Sequence, residues 1–323
     1  MSDRIEGTKF YGPLVQQWLA PLEAFAISVA FAPGWAGAAT SPRWAFATIS
    51  CYFVRWPCLP FIAYCFWKLG INLGAHWAII CGAFCWGLNS SEINTRRVVA
   101  WFAAGVGVSS FVAIIQYYGG WAGVEQLNVP AGLFLNKNML GEAAALAIVA
   151  SLAARLFWPA LICAPALLLS TSRTAWLAVT AVLVLQLSWR WRLLSLAALC
   201  LGLFYFHDTA SLAQRFELWR AAVHDFSWLG NGPYDFSTVI NREPNLHNDF
   251  LQRIYELGFV GLVPILAFCL AAQGAPTFGL AFGIIAMFGF PVAVPASAWF
   301  GAFVLGHGLV LLRNESKIGR AHV

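Results

Sequence analysis

Apolar runs of membrane-crossing length recur along this chain from residue 14 to residue 312, and they leave few ways to fold. A helix needs about 20 apolar residues to cross the hydrocarbon core of a bilayer. Backbone polar groups find no water there, so each run must close its own hydrogen bonds as a helix. Segments are expected near 14–34, 43–67, 71–89, 98–118, 138–154, 156–171, 174–189, 192–206, 248–271, 277–291 and 295–312. An outer-membrane barrel would instead show alternating strands of about 10 residues. Only 10% of the 323 residues are charged, against about a quarter in a soluble domain. The sixteen Trp suit a protein with many interfacial anchors. The expected fold is therefore all-α: a polytopic transmembrane bundle of ten or eleven helices.

Positive charge orients the bundle. Arg96 with Arg97, Arg155, Arg190 with Arg192, and Arg313 with Lys317 fall on one side if every later segment crosses once. By the positive-inside rule that side is cytoplasmic. The 119–137 loop, the Ser170–Arg173 turn, the loop about 206–247 and Pro291–Pro295 then face outward. A single crossing by the 43–67 run puts the N-terminus outside and a break at Arg55-Trp56-Pro57 puts it inside; an Arg at a helix centre costs about 2.5–3.5 kcal/mol, which favours the break. The net charge of +5 encodes this orientation and not nucleic-acid binding, because no polybasic run or aromatic-basic stripe accompanies it. No cleavable signal peptide is expected, since the mixed-charge start (Asp3, Arg4, Glu6, Lys9) precedes a retained helix.

One membrane domain is expected over 1–316, followed by a non-native tail over 317–323. Lys317–Val323 back-translates readily to a common sequencing-library adapter, so Arg320 and His322 receive no functional weight; the alternative is an ordinary basic cytoplasmic tail. Cys51, Cys58, Cys65, Cys81, Cys85, Cys163, Cys200 and Cys269 all lie in apolar segments and read as small buried hydrophobes. A disulfide framework is not expected. Gly70/Gly74 and Gly279/Gly283 have the spacing of close helix packing.

Three outward elements hold the candidate chemistry. The first is the turn-rich loop ending Gly132-Leu133-Phe134-Leu135-Asn136-Lys137-Asn138, with Glu142 one turn after Asn138 and Lys137 as a candidate partner for it. The second is Ser170-Thr171-Ser172-Arg173-Thr174, where an Arg among hydroxyls suits an anionic ligand; a snorkelling Arg explains it as well. The third is the 206–247 loop. Ser211–Val223 reads there as an amphipathic helix with Leu212, Phe216, Trp219 and Val223 as its apolar stripe, bordered by Arg215 and Arg220. The loop closes on His247-Asn248-Asp249 at the front of an apolar segment, where helix polarity favours an anion and imidazole can move a proton near neutral pH. Asp249 and Arg253 form an i,i+4 pair of the kind worth about 0.3–0.5 kcal/mol.

No Asp-x-Asp, close carboxylate pair, His/Cys cluster or Walker loop is present, which disfavours metal-assisted phosphate chemistry and nucleotide hydrolysis. Several Arg and one His on the outer face suit stabilisation of a phosphate leaving group while the imidazole handles a hydroxyl proton. No nucleotide sugar is available on that side, so an activated donor there must be carried by a lipid.

These elements resemble the O-antigen ligase and polymerase superfamily of bacterial envelope glycan enzymes. Gly132–Asn138 is similar to its Gly-x-Phe-x-Asn-x-Asn element, and Ser172-Arg173-Thr174-Ala175 to its Ser-Arg-x-Ala element. Arg215–Trp219 with Gly230-Asn231-Gly232 resembles its Arg-x3-Trp and Gly-x-Gly pair. His247–Gln252 with Glu256–Gly261 resembles its closing signature. Glu142 departs from the family pattern, and the helices between 138 and 189 are short for it.

The resemblance implies a metal-independent, cofactor-free, inverting glycosyltransferase of the bacterial inner membrane with its site facing the periplasm. It would transfer a glycan from undecaprenyl diphosphate to a hydroxyl on lipid A core, another glycan or a protein. It implies that His247 orients or deprotonates the acceptor and that Arg173 and Arg215 neutralise the diphosphate. Arg220, Asn136, Asn138, Asn248 and Asp249 are the expected substrate-binding residues. Ligase, polymerase and protein O-glycosylating enzyme stay open. A transporter shares the composition but predicts pseudo-symmetric halves and broken helices, and a binding protein without catalysis would have no need of all three cationic groups.

Overall fold

The structure is a computed structural model, and it describes residues 19–26, 53–119, 130–134, 136–186, 209–233, 246–289, 291–292 and 294–321. The expected segment 192–206, most of 14–34, the first part of 43–67 and the stretch 234–245 lie outside those residues. Residues 19–26 are helical, and ten further α-helices are described: α1 Leu59–Asn89, α2 Glu92–Tyr117, α3 Lys137–Ala153, α4 Phe157–Ser170, α5 Arg173–Gln186, α6 Thr209–His224, α7 Asp249–Leu257, α8 Leu262–Gly274, α9 Pro276–Phe288 and α10 Pro295–Ala321. Among the described residues there is no β-strand element, as the apolar runs require. The spans Glu92–Tyr117 and Asp249–Gly274 are long and apolar enough to cross a membrane; Phe157–Ser170, Arg173–Gln186, Pro276–Phe288 and Ala296–Leu311 are shorter apolar helices.

α1 is a hairpin, not a rod. A straight 31-residue helix would separate its ends by about 45 Å. Instead the Arg55 guanidinium donates to Asn89 Oδ1 at 2.5 Å, Cys58 Sγ lies 3.8 Å from Cys85 Sγ, and Phe61 meets Trp77 edge to face. The reversal is Gly70, at φ 79 and ψ 177, a conformation essentially closed to side-chain-bearing residues. Gly70 therefore makes the turn, where its spacing from Gly74 had pointed to helix packing; Gly74 packs on Phe66 across the hairpin. The chain does break before this helix, with a 3₁₀ turn at Trp56–Cys58 after Arg55.

α3 sits at the centre. Every residue from Leu140 to Ser151 is buried, which leaves the helix no solvent or lipid face. It packs against α2, α4, α5 and α9, and Ala143–Ala147 lets those neighbours approach closely. α10 packs in the groove of α1 and against α8, with Trp299, Phe300 and Phe303 fully buried. Gly279 and Gly283 do serve close packing: a Cβ on either would press on Ala272 or Phe268 of α8.

The segment expected as one helix over 248–271 is broken. α7 ends at Leu257, a 3₁₀ turn covers Gly258–Gly261, and α8 continues. Gly258 causes the break: its φ is 63, and a Cβ there would run into the backbone of Trp228 and Gly230. The loop before α7 thus folds back on the end of α7. Asn231 N–H donates to Tyr255 O at 2.9 Å, Gly232 N–H to Glu256 O at 3.1 Å and Phe259 N–H to Trp228 O at 3.1 Å. Trp228 stacks on Phe259 with ring centres 4.7 Å apart.

Candidate functional site

The residues singled out in the sequence gather at one end of the bundle, where α3, α5, α7 and α10 begin and α9 ends. Two adjacent residues of the central helix tie that end together. Gly141 abuts Ser170 and Ser172, so the turn that precedes Arg173 rests directly on α3. Glu142, 2% exposed, abuts Gly289 at the end of α9. One residue earlier, the Phe288 carbonyl accepts a hydrogen bond from Arg215 Nη1 at 3.1 Å. Three residues later, Val292 N–H donates to Asp249 Oδ2 at 2.6 Å. The three sequence elements bearing Arg173, Arg215 and His247-Asn248-Asp249 are therefore anchored on one small patch of α3 and the Phe288–Val292 turn. No Lys137–Glu142 ion pair is present among the described residues.

Each element is fixed by its own local chemistry. Arg173 is exposed at the first position of α5, after Thr171 in the left-handed conformation (φ 51) that ends α4. Arg215 and Arg220 lie on α6, with Arg220 exposed. The buried side of α6 is rotated from the expected stripe. Leu218 (1% exposed) and Ala222 pack with Leu246 and Tyr255, whereas Phe216 is 56% exposed and Val223 is also outward. The cause is Trp219, whose indole N–H donates to Leu246 O at 2.8 Å and so turns Leu218 toward the protein. Phe216 and Val223 are left as an apolar outer face.

Leu246 is buried and Asn248 caps α7 by accepting from Leu251 N–H at 3.0 Å. Between these two fixed residues His247 is half-buried with φ 51, left-handed for a side-chain-bearing residue. Such strain persists where the surroundings over-determine it, and it is concentrated at functional sites. Asn136 is the equivalent cap of α3, accepting from Met139 N–H at 2.9 Å, and Asn138 is exposed two residues further on. Both caps use the side-chain oxygen and leave the amide NH₂ as donor.

Asp249 points inward. It is 1% exposed, and its second oxygen takes Arg253 Nη2 at 3.3 Å. Arg253, 6% exposed, also donates to Glu256 Oε2 at 2.6 Å, Gln252 Nε2 donates to Glu256 Oε1 at 2.7 Å, and the guanidinium lies over the Trp77 ring. The expected i,i+4 pair is thus the core of a buried network, and the magnitude of about 0.3–0.5 kcal/mol for isolated helical pairs does not apply to it. Sequence spacing foretold the pair but not Glu256 or Trp77, because burial of that helix face depends on α1. Gln116 was also not foreseen. Its Oε1 accepts from Ala131 N–H at 2.9 Å and Gly132 N–H at 2.8 Å, and its Nε2 donates to Gly132 O at 3.1 Å, which fastens the Gly132 turn to the end of α2.

A mostly apolar cleft of about 230 Å³ reaches Asp249 and Arg253 from the side. It runs from Pro57 and Cys58, near the far end of the α1 hairpin, past Phe61 and Trp77. Arg173, Arg215 and His247 lie beyond its lining. Among the described residues no group of three or more His, Cys, Asp or Glu side chains is placed to hold a metal ion.

The class these features define is a protein all-helical in its described residues, with one helix and one broken helical span of membrane-crossing length and apolarity, and with its cationic, imidazole and amide groups anchored at one end. Residues 158–266, about one third of the chain, match the family model described as O-antigen ligase. That match supports the O-antigen ligase and polymerase superfamily, a group of bacterial inner-membrane enzymes, and it contains Arg173, Arg215 and His247. No curated protein matches the chain.

Proposed function

We propose that the protein is a multi-spanning inner-membrane glycosyltransferase that moves a glycan from undecaprenyl diphosphate to an acceptor hydroxyl at the periplasmic face. The observation that carries this reading is the shared anchorage of the Arg173, Arg215 and His247 elements on Gly141, Glu142 and Phe288–Val292. In the proposed reaction the acceptor oxygen attacks the anomeric carbon from the side opposite the diphosphate. The carbon–oxygen bond to the diphosphate breaks, both electrons leave with undecaprenyl diphosphate, and the configuration inverts. His247 takes the hydroxyl proton and becomes imidazolium. Arg173 and Arg215 stabilise the charge that develops on the leaving diphosphate, which is electrostatic work best done by preorganised groups. Asn136, Asn138, Asn248 and Arg220 supply hydrogen-bond donors around the substrates.

Two features support the lipid-linked donor. The lateral cleft beside Asp249 is of a kind suited to an isoprenoid chain, and the apolar outer face of α6 suits a helix lying in the membrane interface. Neither requires a metal ion, and the reading has the charge of the leaving group met by guanidinium alone. Ligase action on lipid A core is the first choice of acceptor, with polymerase or protein O-glycosylating activity as the variants of the same chemistry. The test is His247→Ala assayed with purified undecaprenyl diphosphate glycan and each acceptor in turn. Loss of transfer with normal membrane insertion is expected, and unimpaired transfer would remove His247 from the mechanism.

A further inference from the structure

At the opposite end of α3, α9 and α10 lies a second cavity, of about 630 Å³, that the transfer reaction does not use. It is lined by Glu92 and Arg96 of α2, Arg155 of the α3–α4 turn, Thr277 of α9 and His307 of α10. A volume of this size is in the usual range for a small-molecule pocket. Two independent features give it an affinity for anions. Arg96 and Arg155 come from different elements and are both exposed to it. The N-terminus of α9 opens into it: Ala275 at the cap position makes no side-chain capping bond, and Pro276 is the first residue, so the next N–H groups have no capping partner. His307 is 6% exposed and uses Nδ1 on the Ser90 carbonyl at 3.1 Å. The carbonyl only accepts, so Nδ1 carries the proton and Nε2 is left at the cavity lining as an acceptor for a headgroup hydroxyl rather than for the phosphate.

We propose that this cavity binds the phosphate headgroup of an anionic phospholipid at the membrane face opposite the transfer site. Charge sets the headgroup class. Two Arg against one Glu leave a single net positive charge, which matches a phosphodiester monoanion better than a polyanion. Hydroxyl and imidazole groups at Thr277 and His307 suit the polar headgroup beyond the phosphate. Arg155 has φ 57 in its turn, where Leu156 N–H donates to Ser151 O at 2.7 Å, so the backbone fixes the point from which its side chain departs at the cavity lining. Basic pockets between helices at the cytoplasmic face are where lipid headgroups are captured. The inference needs the bilayer but is independent of the glycosyltransferase reading.

Native mass spectrometry of the detergent-purified full chain tests it, with phosphatidylglycerol, phosphatidylcholine and inorganic phosphate as probes. Retention of one phosphatidylglycerol at least fivefold over phosphatidylcholine is expected, and Arg96→Gln with Arg155→Gln together should abolish that preference. Both side chains are exposed, so the double variant should keep the parent's melting temperature, and Arg97→Gln, outside the cavity lining, serves as the control. Equal retention of the two lipids, or a preference that survives the double substitution, would overturn the proposal. Displacement of phosphatidylglycerol by inorganic phosphate at equal concentration would likewise overturn the lipid assignment and make the cavity a soluble-anion site.

Discussion

Trp219 donates its indole N–H to the carbonyl of Leu246, 27 positions later in the chain and immediately before His247, at 2.8 Å. That one bond couples the orientation of α6, which carries Arg215, to the backbone that presents the imidazole. Trp219→Phe keeps a large aromatic and removes the donor. It should lower stability by about 1 kcal/mol, the net worth of a typical hydrogen bond. Transfer activity should fall by an order of magnitude, because His247 and Arg215 lose their common reference. Parallel measurement of melting temperature and turnover in detergent checks this; activity that falls no further than stability would show that the bond is only structural.

The Asp249–Arg253–Glu256 network makes a different prediction. Both ion pairs are buried, with side-chain exposures of 8% or less. Arg253→Met would leave two carboxylates without their cation in a site lined by Trp77, Leu257 and the apolar cleft. Breaking one partner out of a buried pair costs about 3–5 kcal/mol, so this variant should fail to accumulate as a monodisperse protein. Adding Asp249→Asn and Glu256→Gln should restore much of the loss. Fluorescence-detected size-exclusion profiles of the single and triple variants give the comparison, and an Arg253→Met profile equal to the parent's would show that the network carries little stability.

How legible all this was depended on whether a feature is local. Apolar run lengths located α3, α4, α5 and α9 to within a few residues, because a helix in an apolar setting is dictated by its own segment, whereas α2 begins six residues before its apolar run and α10 continues nine residues past its own. The turns at Arg155 and Thr171 fell where polar punctuation placed them. What could not be read was set by distant partners. Gly70 looks like a packing glycine until Arg55 is seen beside Asn89, and Leu218 looks polar-facing until Trp219 finds Leu246. The Arg173, Arg215 and His247 motifs are legible one at a time, but the anchorage of their elements on Gly141 and on Phe288 and Val292 is not, since the central helix is small and apolar there apart from Glu142 and the Phe288 and Val292 contacts are made by main-chain groups.

Gly258 is the point where the closing signature folds back on the Gly230 loop. Gly258→Ala would combine a left-handed φ of 63 with a Cβ driven into the Trp228 and Gly230 backbone. With ψ at −139 this backbone lies in a region close to that reserved for glycine, which costs on the order of 1–3 kcal/mol for a side-chain-bearing residue. The collision adds to it because both neighbours are main chain and cannot swing aside. Separation of the loop from α7 should follow, seen as faster amide exchange at Asn231, Gly232 and Phe259, whose N–H groups make the connecting bonds. Unchanged protection at those three amides would mean that the loop is held from elsewhere.

Gly141→Ala addresses the proposed site without touching any group that would contact substrate. The added methyl would press on Ser170 and Ser172, whose Cβ atoms lie 2.9 and 2.8 Å from its position. Overpacking of this kind typically costs about 1–3 kcal/mol, and the strain has a cheap outlet. The Ser170–Arg173 turn is the end of a short helix and can lift, whereas α3 is enclosed on every side. Lifting the turn would carry Arg173 away from the patch that also anchors Arg215 and His247. Transfer should therefore drop by at least tenfold while expression and melting temperature change little, and the loss should appear in turnover more than in donor affinity, since Arg173 is proposed to act on charge that develops as the diphosphate departs. A Gly141→Ala enzyme that turns over normally with weakened donor binding would instead make Arg173 a residue that only holds the ground state.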